Sequence, residues 1–370
     1  MNEQITTEQD TLKYSCNSCG AYLKYKPDTQ HLNCEYCGAE NEIEISDHEI
    51  EELDYNLYLT GDAVKKVQVA EHFVKCESCT TTITLNTTIS SAFCPYCSTP
   101  LIIGKAFQEN VIQPKSILPF KLDVNPAKEE FKKWINGLWF APNNLNKLLN
   151  VDNFKGIYIP YWTYDTLTIN RYTGERGTYY YVSESYTTTE GGRSVTKTRK
   201  VRKTRWRSVS GTVRVSFNDL LVTATRSLSE KHIKDLEPWD MENLVPFDKS
   251  YLSGYITEKY QVNLQEGFDV AKKMLDDDVR IVIGRNIGGD EQRINTLNTS
   301  YLNVKFKHIL LPVYVSAYNY NDKLYQFFIN ARTGEVQGER PYSWIKITLT
   351  IIMVLAVIGL LIYLFKYYNN

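Results

Sequence analysis

The sequence lacks the short motifs that mark the commonest nucleotide-driven and hydrolytic proteins. Its 370 residues contain no Gly-x-x-x-x-Gly-Lys-Ser/Thr, no His-Glu-x-x-His and no Gly-x-Ser-x-Gly. A P-loop motor and hydrolases that use these motifs are therefore excluded. The five histidines are scattered along the chain, at His31, His48, His72, His232 and His308. We expect a protein without catalytic activity.

The N-terminus lacks both a basic leader and an apolar stretch, so no cleavable secretion signal is expected. Residues 1–60 instead hold thirteen Asp and Glu against three Lys. Such a surface repels phosphates, and affinity for nucleic acid depends chiefly on cationic contacts. The composition therefore argues against nucleic-acid binding by this end of the chain.

The last part of the chain holds a long apolar run. From Ile347 to Phe365 no residue is charged, and Lys346 and Lys366 flank these 19 residues. A helix of that length spans roughly 28 Å, which matches the hydrocarbon core of a bilayer. More basic residues precede the span than follow it. The positive-inside rule therefore predicts a single-pass, tail-anchored protein of the inner (cytoplasmic) membrane with its N-terminal part in the cytoplasm.

The eight cysteines form four Cys-x-x-Cys pairs, and none is left over. Each set of two pairs has the spacing Cys-x₂-Cys-x₁₄-Cys-x₂-Cys, and the second set starts 60 residues after the first. Four thiolates in this arrangement are typical of structural Zn²⁺ in a zinc ribbon, and they leave no open coordination position for catalysis. We predict two structural Zn²⁺ ions. Iron, redox chemistry and a disulfide framework are the alternatives, and the last belongs in oxidising compartments. The predicted ligands are Cys16, Cys19, Cys34, Cys37, Cys76, Cys79, Cys94 and Cys97.

The two ribbons differ at the residue that follows each cysteine pair. Gly20 and Gly38 follow the pairs of the first ribbon, whereas Thr80 and Ser98 follow those of the second. A tight turn at this position favours glycine. The second ribbon is therefore expected to be more strained, or to hold its metal less tightly.

The region after the ribbons is rich in residues that favour β-structure, and it reads as a duplication. Ile169-Asn170-x-x-Thr173-Gly174-Glu175 recurs at residues 329–335, which predicts a turn at Thr-Gly-Glu in both copies. Helices are expected at 127–139 and 264–275, after the proline-containing stretches 117–120 and 244–247. A further helix is expected between the ribbons, where Leu53, Leu57, Val64 and Val67 have helical spacing. The predicted units are ribbon 1 (11–45), a helical linker (46–70), ribbon 2 (71–103), module 1 (104–240), module 2 (241–343) and a transmembrane helix (345–366).

The predicted fold class follows from these units. We expect small zinc-ribbon β domains, an α+β, β-rich central module that is duplicated, and one C-terminal transmembrane helix.

A long hairpin is predicted at residues 178–209, with its turn at Glu190-Gly191-Gly192. Six basic residues of its second strand have odd numbers, so strand alternation places them on one face. A solvated face is the simplest interpretation, and anionic lipid, nucleic acid or the protein's own acidic ribbon are the alternative partners. These candidates are Arg193, Lys197, Arg199, Lys203, Arg205 and Arg207.

Several segments together resemble a known bacterial family. They are the paired ribbons, Gly156-Ile-Tyr-Ile-Pro-Tyr-Trp-Thr-Tyr-Asp165, Lys203-Thr-Arg-Trp206, and the Asn330-x-x-Thr-Gly-Glu motif ahead of the apolar run. The family consists of double zinc-ribbon proteins with a C-terminal membrane anchor, often labelled primosomal protein N′ (replication factor Y), helicase-like or TFIIB-type zinc-ribbon-containing. The resemblance implies a membrane-bound accessory protein without catalysis, with envelope-stress or flotillin-like proteins as partners.

The sequence therefore favours a non-catalytic scaffold or adaptor that faces the cytosol. In this interpretation the ribbons present a surface to unidentified partner proteins, and residues 347–365 enter the lipid bilayer. The alternative is a membrane-tethered, replication-associated nucleic-acid-binding protein that has no motor of its own and uses the basic hairpin.

Overall fold

The computed structural model describes residues 14–44, 49–60, 68–84, 93–142, 154–228, 230–321 and 323–368. The predicted linker residues Val64 and Val67 lie outside these ranges, as do His48 and the outermost residues of the predicted first ribbon (11–13 and 45).

Two small three-stranded sheets carry the cysteine pairs. In ribbon 1 the strands β1 (Leu23–Tyr25), β2 (His31–Cys34) and β3 (Glu40–Glu42) form an antiparallel sheet in the order β1-β2-β3. Ribbon 2 contains β5 (Gln68–Lys75), β6 (Thr82–Thr84) and β7 (Phe107–Ile112) in the order β6-β5-β7. Both sets of cysteines are thus held by ribbon-like hairpins.

The segment between the ribbons is described at residues 49–60 and 68–70. These residues contain the short strand β4 (Leu53–Asp54) and the five-residue helix α1 (Tyr55–Leu59), which the Asp54 side chain caps. Strand β5 already begins at Gln68, inside the predicted linker. The apolar residues Leu53 and Leu57 do not form one stripe of a long helix, because Leu53 belongs to a strand that pairs with the central sheet.

One sheet of nine strands forms the body of the protein, and both predicted modules contribute to it. Besides β4 its strands are β8 (Ser116–Ile117), β9 (Lys155–Glu190), β10 (Arg193–Thr223), β11 (Val245–Pro246), β12 (Ile256–Thr257), β13 (Glu291–Tyr320), β14 (Lys323–Asn330) and β15 (Val336–Gly338). The main path of the sheet has the order β10-β9-β13-β14-β15, and β4 pairs with β13.

Helices cover this sheet at two places. They are α2 (Val124–Asn136), α3 (Glu230–Asp235) and α4 (Leu264–Ile287). Helix α4 starts with a capping box in which Asn263 and Glu266 bond each other's backbone N–H groups. It ends twelve residues later than predicted, because Val279, Ile283 and Ile287 continue its buried stripe at intervals of four.

The internal duplication is visible as an exchange of short strands. Strand β8 of the first half pairs in parallel with β13 of the second half, and β12 of the second half pairs in parallel with β9 of the first. Both short strands end six residues before the N-cap of the next helix, Asp123 or Asn263. The counterpart of residues 116–117 is therefore β12, and not the stretch 244–247 that the proline pattern suggested.

The repeated Thr-Gly-Glu letters adopt different structures in the two copies. Gly334 has φ +82° in a turn after β14, as predicted. Gly174 instead lies inside β9, where it is paired on both sides, with Val209 of β10 and Ile294 of β13. A Cβ atom at Gly174 would lie 2.3 Å from the Arg293 carbonyl oxygen. The first-copy turn prediction is wrong, because glycine here permits a close approach of strands.

Strands β9 and β10 continue past the body as a two-stranded ribbon. Their pairing runs from Glu190 and Arg193 down to Tyr161 and Thr223, and Gly191 and Gly192 form the turn with φ +59° and +78°. Strand β13 begins at Glu291, opposite Gly177, so residues 178–205 have no third strand beside them among the described residues. We call residues 178–205 the arm. It carries seven basic residues against two acidic ones.

The chain ends in a long apolar helix, α5 (Trp344–Tyr368). None of its residues is buried in the protein, and it is long and apolar enough to cross a membrane. Its bounds contain the predicted span.

Candidate metal centres and the basic arm

The structure brings the eight cysteines together as two groups of four. In each group the sulfur atoms all lie within 4.8 Å of one another: Cys16, Cys19, Cys34 and Cys37 form the first, and Cys76, Cys79, Cys94 and Cys97 the second. All eight cysteines are free thiols.

The spacing of the sulfur atoms fits a tetrahedral metal ion. Metal–sulfur bonds of about 2.3 Å give a tetrahedron with edges of about 3.8 Å. The Sγ atoms of Cys16 and Cys37 are 3.5 Å apart, and those of Cys19 and Cys34 are also 3.5 Å apart. In the second group the matching distances are 3.6 Å for Cys76–Cys97 and 3.4 Å for Cys79–Cys94. Both groups therefore have the donor set and the size of a four-thiolate metal site.

Backbone N–H groups prepare the first site for negative charge. The Ser18 N–H donates to Cys16 Sγ at 3.4 Å, and this bond, with smaller contributions from the Cys19 N–H and the Cys37 and Cys19 thiols, lowers the pKa of Cys16 to about 6. The Cys37 N–H likewise lowers the pKa of Cys34. Thiolates, and not thiols, are the metal ligands, so these bonds favour the ligating form.

All four cysteine turns share one backbone geometry. The N–H of the residue after each pair donates to the carbonyl of the first cysteine at 2.8–3.0 Å. These residues are Gly20 (φ +73°), Gly38 (+75°), Thr80 (+64°) and Ser98 (+60°). Left-handed backbone costs a residue with a Cβ atom about 1–2 kcal/mol. Ribbon 2 therefore carries the backbone strain that its sequence predicted.

Ribbon 2 is attached to the body through a buried carboxylate that the sequence did not reveal. Glu258 accepts hydrogen bonds from Tyr96 Oη at 2.6 Å, from Thr225 Oγ1 at 2.6 Å and from the Ser227 hydroxyl. Burial raises the pKa of Glu258 to about 7. Because Tyr96 stands between Cys94 and Cys97, this network ties the metal site to the central sheet.

Ribbon 1 packs on the body through aromatic residues and backbone bonds. The ring of Tyr25 lies 5.1 Å from that of Tyr251, and the Ser253 hydroxyl donates to the Leu23 carbonyl at 2.5 Å. The outer side of this ribbon stays open, with Cys19 and Cys37 exposed and Tyr36 87% exposed. The two metal sites thus differ in access: two sulfur ligands of ribbon 1 face solvent, whereas those of ribbon 2 are buried or half-buried.

The six odd-numbered basic residues of the hairpin share one face of β10. No bulge interrupts the pairing between residues 193 and 217, so the alternation holds along that length. All six are exposed, and some have partners on β9. Glu184 accepts from Lys203 at 3.0 Å and lies 3.9 Å from Arg199. The guanidinium of Arg205 stacks 5.1 Å from the Tyr180 ring centre.

The basic stripe begins where helix α4 ends. Farther down the same face, Val209, Val213 and Val215 pack against Val279 and Ile283 of α4. Beyond Ile287, the last residue of the helix, cations occupy six of the eight odd-numbered positions from 193 to 207 on this face. The outer edge of β10 is also unpaired in the part of the chain that the structure describes. The arm thus offers both positive charge and free backbone hydrogen-bonding groups.

Comparisons with known proteins give one informative similarity. The chain is 24% identical over 337 residues to the uncharacterized protein YdjG of Bacillus subtilis (strain 168). The alignment covers 90% of this chain and 91% of that protein. No family model matches, and no solved structure matches. The similarity therefore extends over nine-tenths of this chain.

Proposed function

We propose that the protein is a non-catalytic, membrane-anchored adaptor whose N-terminal part faces the cytosol and whose basic arm binds a partner protein. The observation that carries this proposal is the arm itself. It has a net charge of +5 and extends past the last helix of the body. An isolated two-stranded hairpin is only marginally stable in water, so the arm adds little to the stability of the body. Binding of a partner explains the length of the arm best.

The position of the arm relative to the anchor favours a partner away from the lipid surface. The first turn of α5 is held to the body by Lys346 Nζ, which donates to the Ala141 carbonyl at 2.8 Å. Ala141 belongs to the same core cluster as Phe154, the residue before β9. The tip at Glu190 is 36 residues farther along this strand, which corresponds to roughly 120 Å at about 3.3 Å per residue and to somewhat less in a twisted strand.

A protein partner agrees with the chemistry of the arm. A strand added to the free edge of β10 would gain main-chain hydrogen bonds, and acidic side chains on it would meet the basic face. The ribbons offer a second contact surface, because Phe93 and Ile102 of ribbon 2 are 57% and 45% exposed. The implied identity of the partner as an envelope-stress or flotillin-like protein rests on the family resemblance alone, as does membership of the double-ribbon membrane family.

The metal that fits both sites best is Zn²⁺ in a structural role. Zinc prefers four thiolates in a tetrahedron, and a ribbon of about 30 residues buries too little apolar surface to fold without such a site. Four protein ligands leave no position for a substrate, which supports a non-catalytic protein. Glu258 and His308, whose pKa values are shifted to about 7 and about 4 by burial, lie in the packed interior of the sheet.

The second candidate is the membrane-tethered nucleic-acid-binding protein. The arm supports it to the extent that cations and exposed tyrosines, such as Tyr181 at 66% exposure, are also found on surfaces that bind single strands. Only the partner distinguishes the two candidates.

A photo-crosslinking experiment on the full chain in native membranes tests the proposal. Tyr181 in the arm is replaced by p-benzoylphenylalanine, and Ile281 on the exposed side of α4, 52% exposed, is the matched control position. We expect a nuclease-resistant protein adduct from position 181 only. The adduct should disappear in K197S/R199S/R205S and persist in K272S/K273S/R280S, which removes the same charge from α4. Nuclease-sensitive adducts would favour the second candidate, and equal adducts from both positions would refute an arm-specific partner.

A further inference from the structure

A cleft of about 400 Å³ lies where the body meets the apolar helix. Its walls come from four separate parts of the chain. Helix α2 contributes Trp134, α3 contributes Lys231, β14 contributes Lys323 and Tyr325, and the segment that leads into α5 contributes Arg340 and Tyr342. The sequence analysis did not single out this site, because its residues are spread over more than 200 positions.

The cleft lies at the depth where lipid headgroups would be. If the uncharged run from Ile347 fills the hydrocarbon core, Trp344 and Lys346 lie in the first few ångströms outside it, at about 1.5 Å per helical residue. Ser343 N–H donates to the Phe140 carbonyl at 2.7 Å, so this part of the chain is fixed to the body. Arg340 is four residues from Trp344, at most about 14 Å even in an extended chain. Arg340 and the cleft that it lines are therefore within reach of the interfacial layer.

Two cations of the cleft have no carboxylate partner in the part of the chain that the structure describes. Among the described residues, neither Lys231 nor Arg340 forms an ion pair, whereas Lys323 lies 3.9 Å from Glu339. Arg340 Nε donates to Tyr342 Oη at 3.4 Å, which leaves its other N–H groups available. Lys231 and Arg340 both act on this hydroxyl, since Arg340 lowers the pKa of Tyr342 most and Lys231 adds to the effect. Their positive charges thus converge on one point of the cleft.

The remaining residues define what the cleft accepts. Asp235 and Glu339 also line the cleft. Its three Lys and Arg side chains and these two carboxylates together carry a net charge of +1. A headgroup with one net negative charge neutralises this charge, whereas a zwitterionic headgroup does not. Trp134, Tyr325 and Tyr342 add the aromatic surface that is common where a protein meets the headgroup layer. We propose that this cleft binds the headgroup of a monoanionic phospholipid of the phosphatidylglycerol type, with Lys231 and Arg340 contacting its phosphate.

Native mass spectrometry of the full chain tests this site. The detergent-solubilised protein is incubated with equal amounts of phosphatidylglycerol and phosphatidylcholine, and the retained lipids are counted. We expect preferential retention of phosphatidylglycerol, which K231Q/R340Q should reduce roughly thirtyfold, since each basic residue near an anionic headgroup contributes about 1 kcal/mol. K231R should retain the lipid. The control K200Q/R202Q removes the same charge from the arm and should leave retention unchanged.

Three results would overturn the assignment. They are equal retention of the two lipids by the unmodified chain, an equal loss in the arm control, and displacement of the bound lipid by millimolar soluble glycerol phosphate, which would indicate a site for a free phosphate compound. An unchanged melting temperature and metal content of K231Q/R340Q separate loss of the site from loss of the fold. The outcome is independent of the arm, so a failure here leaves the crosslinking result of the adaptor proposal unaffected.

Discussion

Exchanging glycine between the cysteine turns of the two ribbons should shift metal retention from one ribbon to the other. Thr80 and Ser98 have φ +64° and +60°, and both are exposed. Relief of left-handed strain is worth about 1–2 kcal/mol for each residue, and the greater freedom of glycine in the unfolded chain offsets about 0.5–1 kcal/mol. T80G and S98G should therefore each stabilise ribbon 2 by about 0.5–1 kcal/mol.

The reverse changes give a matched control. A Cβ atom at Gly20 or Gly38 would meet no atom within 4 Å, so G20T and G38S introduce backbone strain without a steric clash. They should each destabilise ribbon 1 by about 0.5–1 kcal/mol, because the smaller freedom of Thr or Ser in the unfolded chain offsets part of the strain. Since metal binding and ribbon folding are coupled, each kilocalorie per mole changes apparent metal affinity about fivefold.

The assay is competition with a chelator, followed by alkylation of released thiols and peptide mass spectrometry. This method reports each group of four cysteines separately in the full chain. T80G/S98G should shift metal release from ribbon 2 to a several-fold higher chelator concentration without affecting ribbon 1. G20T/G38S should shift metal release from ribbon 1 to a lower chelator concentration without affecting ribbon 2. If T80G/S98G loosened ribbon 2, or if G20T/G38S left ribbon 1 unchanged, the strain argument would be refuted.

Three further predictions concern the body and the anchor. The pKa of Glu258 in the folded state, about 7, exceeds its ordinary value of 4.5. The unfolded chain therefore loses this proton at lower pH than the folded chain does, and the free energy of unfolding falls as pH rises. Between pH 5.5 and 7.5 the free energy of unfolding of the wild type should fall by about 2 kcal/mol relative to that of E258Q, as measured by denaturant titration at each pH. Asn263→Ala removes the N-cap of α4 and should cost about 1 kcal/mol in the same titration, whereas the exposed helix variant K273A should change little. Leu355→Arg places a charge near the middle of α5, which costs about 3 kcal/mol in membrane insertion. This variant should raise the fraction of protein that alkaline carbonate releases from membranes, while L355V should not. Equal release of both variants would contradict a membrane-spanning α5.

Features fixed by local pattern could be predicted from the sequence. The spacing of the cysteines predicted both ribbons, because a four-thiolate site requires two short turns at a set separation. The Gly191-Gly192 pair predicted the turn of the hairpin, and the uncharged run after Lys346 predicted the apolar helix. In each case the residues that determine the feature are close together in the chain.

Features fixed by distant pairing could not be predicted in this way. Three consecutive aspartates, 276–278, hid the second half of α4, although Val279 and Ile283 continue its buried stripe against β10. Gly174 was read as a turn residue, yet pairing with two strands holds it in β9. Glu258 gave no sequence signal, because its partners Tyr96 and Thr225 lie far away in the chain.

We propose above all that the two groups of four thiolates each hold one zinc ion. The direct test is elemental analysis of the full chain purified under reducing conditions, together with a count of reactive thiols after chelation. We predict two zinc ions per chain and eight thiols, and one zinc ion in C16S/C19S or in C76S/C79S, since each pair belongs to one group. Purified protein that contains no zinc, or in which the cysteines are paired as disulfides, would contradict it.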